Sequence, residues 1–176
     1  PGAWWGDGQE LACAAWTLGI PHPTGYPLYT VAGHLVMKTL GWLDPGRALT
    51  VLSAFLMAAS CGLLILLFRR ILADEDPAGA EAPAKAQSQP ACACGVADLL
   101  PAAGVALLLA FSRTLWDNAT LTDVHPLTFF LGTLILLAAW TRNGARAGVG
   151  RAALLGLSVG ASALNHYSFL ALGPLA

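Results

Sequence analysis

Apolar residues fill four long stretches of the chain, and polar clusters fall between them. Ala48 to Phe68 carries no charge, and Arg69 and Arg70 follow at once. A helix needs ~20 apolar residues to cross the hydrocarbon core of a bilayer. This stretch therefore predicts a transmembrane helix over 48–70. Val96 to Leu115 predicts a second, with Asp98 and Pro101 in its first turns and Arg113 near its end. Ala119 to Trp140 predicts a third, over 119–141, apolar once past Pro126. Ala152 to Leu175 predicts a fourth, over 152–176, interrupted by Asn165-His166-Tyr167-Ser168.

Two further helices are expected ahead of the first span, over Gln9 to Leu18 and Leu28 to Leu40. The second places Leu28, Val31, Leu35 and Leu40 on a broad apolar face, with His34 and Lys38 at i, i+4. A helix of this kind can lie along a membrane interface. Trp4, Trp5, Trp16 and Trp42 suit the headgroup level, where indole is favoured. Segment 71–95 is rich in Ala, Pro, Gly and charge without apolar periodicity, and reads as a flexible loop. A short loop is expected over 142–151. Arg69, Arg70, Lys85, Arg142, Arg146 and Arg151 then share one side of an alternating path, which predicts that side as cytoplasmic. The opposite, extracytoplasmic or luminal side receives residues 1–47 and the loop and helix start over 116–126. Asp7, Glu10, His22, Asp123, His125, Asn165 and His166 are all brought to it.

Composition agrees with a membrane protein. The chain has 176 residues, 56% hydrophobic and only 11% charged, where soluble domains carry about 25% charged residues. The net charge of -1 and the lack of a basic face with interleaved aromatics exclude a nucleic-acid partner. The fold class expected is all-α, a polytopic transmembrane helix bundle with interfacial helices in its first outer loop. The chain opens at Pro1 and stops inside an apolar segment, so it reads as an excerpt of a longer membrane protein. Cys13 and Cys61 sit in apolar runs as small core residues, and Cys92-Ala93-Cys94 has no second pair to make a zinc site. No metal ligand set is assigned.

The residues that could carry chemistry cluster at the predicted outer side. Asp7 and Glu10 read either as a helix cap with its capping-box partner or as a general base at a membrane-edge cleft. Pro21-His22-Pro23-Thr24-Gly25-Tyr26-Pro27 is a rigid turn that cannot continue a helix and presents His22 and Tyr26. Thr122-Asp123-Val124-His125-Pro126 reads as a helix N-terminus that also offers a carboxylate and an imidazole. Asn165 beside His166 suits an interhelical hydrogen bond. No phosphate loop, HExxH or GxSxG motif is present.

Taken in order, Asp7-x-x-Glu10, TLGIPHPTGYPLY, Ser53-Ala54, Trp116 to His125 and Asn165-His166 resemble a family of multi-pass membrane proteins. That family is associated with protein O-mannosyltransferase activity and the GT-C glycosyltransferase architecture. Its usual motifs are W-D-S/C-G-E-F, H-P-P-G-x-P-L-[YF] and a later E-V-Y. Here Thr24 stands for the second proline, and Asp123 and His125 stand where Glu and Tyr are usual. The resemblance implies a lipid bilayer setting, a polyprenyl-phosphate sugar as donor substrate and a protein or glycan hydroxyl as acceptor. It implies Asp7 as catalytic base with Glu10 second; Glu10 could instead orient the acceptor or hold a divalent cation. His22, Tyr26, Arg113, Asp123, His125, Asn165 and His166 are the residues expected to bind substrate. A membrane transporter or lipid flippase is the alternative, because intramembrane Asp and His with broken helices also suit a transport path.

Overall fold

The structure, a computed structural model, describes residues 6–23, 25–75, 96–140 and 148–166. The described residues form seven helices and no strand: α1 (Gly8–Thr17), α2 (Pro27–Thr39), α3 (Pro45–Glu75), α4 (Val96–Ala110), α5 (Arg113–Thr120), α6 (His125–Ala139) and α7 (Val149–Asn165). Lys85, Cys92, Cys94, Arg142, Arg146, Thr24 and Tyr167 lie outside the described residues.

Helix α3 is the spine, packing against α1, α2, α4, α5 and α6. Its residues Pro45–Leu72 form a 28-residue stretch, the one helix among the described residues long and apolar enough to cross a membrane. A second is reached only if Leu99–Ala110 and α5 are taken as one broken span. The apolar window 96–115 expected as a single helix divides at Phe111 and Ser112, and its two parts are bent by 64°. Ser112 causes the break. Its backbone is extended and its hydroxyl accepts from the Leu115 N–H, which starts a new helix.

Helix α6 lies between α3 and α7. Leu127 and Leu131 share a core cluster with Leu49 and Leu56, and Leu137 shares another with Leu64 and Leu67. The pairing of early with early and late with late makes α6 parallel to α3. Helix α7 returns antiparallel: Asn165 near its end reaches Val124 and Thr128, and Arg151 near its start reaches Ala138. Arg70 Nη1 donates to the Leu137 carbonyl at 3.3 Å and Arg151 Nε to the Ala138 carbonyl at 2.7 Å. Two cations thus satisfy the open carbonyls at the C-terminus of α6, where the helix dipole favours positive charge.

The α1–α2 hairpin covers the first turns of α3. Leu11, Ala15, Tyr29, Met37, Ala48 and Leu49 are buried together there. His34 Nδ1 lies 2.9 Å from the Ala15 carbonyl, and Lys38 Nζ sits 5.4 Å from the centre of the Trp16 ring. The buried face of α2 is Tyr29, Thr30, Gly33 and Met37, whereas Val31 and Leu35 point outward. The face that looked apolar in sequence is therefore split: Leu28 and Leu40 at its ends pack against the core, and Val31 and Leu35 between them are left uncovered. Cys13 is also exposed rather than buried in the core.

Gly33 marks where three helices meet. A Cβ there would come within 2.8 Å of Leu49 Cδ2 and 3.1 Å of Ala15 Cβ. Gly33→Val should lower unfolding free energy by about 1–3 kcal/mol through overpacking, measured by denaturation of the full-length protein in detergent. An unchanged midpoint would mean that the hairpin does not pack closely on α3.

Candidate functional site: two polar groups joined by an aromatic stack

Asp7 is the residue before α1, but its side chain makes no capping bond to the helix. Glu10 does not complete a capping box either. Its carboxylate reaches across to the turn between α1 and α2, where Oε1 accepts from the His22 backbone N–H at 2.5 Å. Its Oε2 meets His22 Nδ1 at 3.0 Å. The stronger competitor is a preorganised pair of donors on one residue, which takes both oxygens. These two bonds, the ring bond first, hold the Glu10 carboxyl below its ordinary value. His22 Nε2 lies 3.8 Å from Asp7 Oδ2, and Asp7 stays largely open to solvent.

The turn that delivers His22 depends on backbone conformations few residues adopt. Gly25 has φ +90 and donates its N–H to the His22 carbonyl at 2.9 Å. Tyr26 follows with φ +40, a left-handed conformation that costs a residue with a Cβ roughly 1–2 kcal/mol. Its ring is buried, and its hydroxyl lies 3.3 Å from His22 Nε2.

The Tyr26 ring leads on to the second polar group. Tyr26 stacks on His166 with centroids 5.8 Å apart and planes inclined by 18°. His166 meets His125 edge-on at 6.3 Å. His125 Nδ1 lies 2.9 Å from Asp123 Oδ1, which also accepts the backbone N–H groups of Val124 at 2.6 Å and His125 at 3.3 Å. Burial pushes the Asp123 carboxyl up. The hydrogen bond and charge of His125, with the two N–H groups, outweigh it and hold Asp123 below its ordinary value. The same bond holds the His125 imidazole above its ordinary value, against the effect of burial.

Asn165 supports this group from α7. Its Nδ2 donates to Thr128 Oγ1 at 2.8 Å and approaches the Val124 carbonyl at 3.4 Å, the interhelical bond expected of it. Its Oδ1 is buried with no partner among the described residues, as is the Tyr29 hydroxyl. Burial, with the charge of Asp123, pushes the Tyr29 phenol up, so it remains a neutral donor. Two buried polar atoms of this kind call for a hydroxyl or a water. In sequence Tyr29 stands only as the last residue of the PHPTGYPLY motif, with no role at the site, and Thr128 is not singled out, because a Thr within an apolar helix carries no pattern of its own. Arg113 stands apart. Its side chain is 94% exposed and pairs with Asp117 on α5 at 3.6 Å.

Eight of the nine residues expected at the site thus form one run, from Asp7 and Glu10 through His22, Tyr26, His166 and His125 to Asp123, with Asn165 bracing it. A family model described as the protein O-mannosyl-transferase TMEM260 N-terminal domain matches residues 7–175. The chain belongs to that family. No curated protein and no solved structure matches it. The family's description names a protein O-mannosyltransferase activity.

The Asp123–His125 pair carries a pH signature. Asp123, with a lowered value, contributes stability above its unfolded pKa that is lost as pH falls. His125, with a raised value, contributes stability below ~6.5 that is lost as pH rises through its folded pKa. The stability difference between wild type and His125→Gln should therefore shrink between pH 6 and pH 9, read from thermal midpoints across that range. A difference independent of pH would mean that the pair does not form.

Proposed function

We propose that this chain carries the acceptor-activating part of a membrane glycosyltransferase of the GT-C type, transferring a mannose-like sugar from a polyprenyl-phosphate donor to a protein hydroxyl. The observation that carries the reading is the Asp7–Glu10–His22 cluster. Glu10 is committed to His22, while Asp7 is held beside them with an open carboxylate.

In the proposed step the acceptor hydroxyl approaches Asp7 and gives its proton to an Asp7 carboxylate oxygen as the acceptor oxygen bonds to the anomeric carbon. The bond from that carbon to the donor phosphate breaks, its electron pair leaves with the polyprenyl phosphate, and the centre inverts. Within the run, the imidazoles of His125 and His166 are the groups that could donate to the phosphate, because both nitrogens of His22 already face Glu10 and Tyr26. Arg113 would need to move to take part. Asp7, Glu10 and His22 each offer one ligand atom within 4.8 Å of the others, so a divalent cation would fit the same cluster. The base role needs none.

Asp7→Asn in the full-length protein should lower sugar transfer about 10²–10⁴-fold at unchanged expression, followed with radiolabelled polyprenyl-phosphate sugar in membranes. Transfer at the wild-type rate would remove Asp7 as the base. Absence of transfer by the wild type from any such donor would turn the reading to transport, with lipid flux as the next assay.

A further inference from the structure

Glu10 is ionised at neutral pH and accepts only, so His22 Nδ1 must carry the proton that bridges them. In a neutral imidazole the other nitrogen, Nε2, is then an acceptor. Among the described residues two groups face it, the Tyr26 hydroxyl at 3.3 Å and the Asp7 carboxylate at 3.8 Å, and of these two Tyr26 is the donor. Were Nε2 protonated, it would turn to Asp7, and the carboxylate would already hold a donor when the acceptor hydroxyl arrived.

Tyr26 is also unusually constrained for this task. It sits at φ +40 with 7% of its surface exposed, edge-on to His22 at 5.4 Å and stacked on His166. A bulky aromatic persists in such a conformation only where its surroundings over-determine it, and strain of this kind gathers at functional sites. The charged and titratable groups around the pair are Asp7 and Glu10 at α1, His166 at the end of α7 and, beyond it, His125 and Asp123 at the start of α6.

We propose that Tyr26 is a positioning residue: its hydroxyl fixes His22 in the tautomer protonated at Nδ1 and so keeps the Asp7 carboxylate open. The second half of this statement rests on the base role proposed for Asp7; the first half does not. The mechanism predicts that Tyr26 acts on the reaction only through His22.

The test uses the full-length protein in lipid nanodiscs, with ¹⁵N-labelled histidine and the His22 signals assigned by their loss in His22→Ala. Wild type should show a protonated Nδ1 and an unprotonated, hydrogen-bonded Nε2, the tautomer opposite to the one histidine prefers in water. Tyr26→Phe keeps the ring and its stack on His166 but removes the hydroxyl, and should shift the Nε2 signal. The same variant should lower kcat for sugar transfer about tenfold at an unchanged KM for the lipid-linked sugar, and should have no further effect in the His22→Ala background. A protonated Nε2 in wild type, or a Nε2 signal indifferent to Tyr26→Phe, overturns the tautomer. Equal losses in both backgrounds overturn the action through His22. Wild type without transfer sinks the glycosyltransferase reading and leaves the tautomer to be decided by the nitrogen signals alone.

Discussion

The seating of α6 between α3 and α7 is the constraint on which the rest depends. Because α6 runs parallel to α3 and antiparallel to α7, its two ends meet different chemistry. Its C-terminal carbonyls receive Arg70 and Arg151, and its N-terminus holds Asp123 and His125 against Asn165 and His166. One packing decision therefore separates an arginine end from an acid–histidine end. The α1–α2 hairpin closes over that second end through the close approach at Gly33, and only then does Tyr26 come to lie on His166.

The two polar groups have different electrostatic character. The group at α6 is half-buried and internally neutralised: three donors converge on one oxygen of Asp123. The group at α1 is more open: Glu10 holds the short contact to the His22 imidazole, and the Asp7 carboxylate is left open beside solvent. A carboxylate whose lone pairs are already filled is a poor base, which is why the base role is proposed for the second arrangement. The first holds fixed donors and acceptors whose lone pairs are already engaged.

Much of the helix plan was legible in the sequence. The helices expected over Gln9 to Leu18 and Leu28 to Leu40 match α1 and α2 within a residue or two, because Pro27 and the Pro-Gly turn give sharp local boundaries. The closeness of His22 and Tyr26 was legible because both sit in one rigid turn; Asp7 and Glu10 could be placed with them only as residues of the same outer side. What could not be read was set by long-range competition. Glu10 looks like a capping-box residue, and nothing local says that His22, twelve residues on, would offer two donors at once. The break at Ser112 rests on a single hydroxyl within an apolar window. The left-handed Tyr26 goes against its own local preference, so only its tertiary contacts explain it. Arg113 was placed by chain position near the predicted outer face, but the bend into α5 carries it onto an exposed helix with a nearer partner in Asp117.

Helix α6 has 15 residues, and at ~1.5 Å of rise per residue it reaches only about 22 Å. A bilayer core is ~30 Å thick. Its far end is already claimed by two guanidinium groups that seek water and lipid phosphates. If α6 crosses the membrane, the lipid beside it must thin to meet those arginines. The brevity of one helix then becomes a property of the membrane around it.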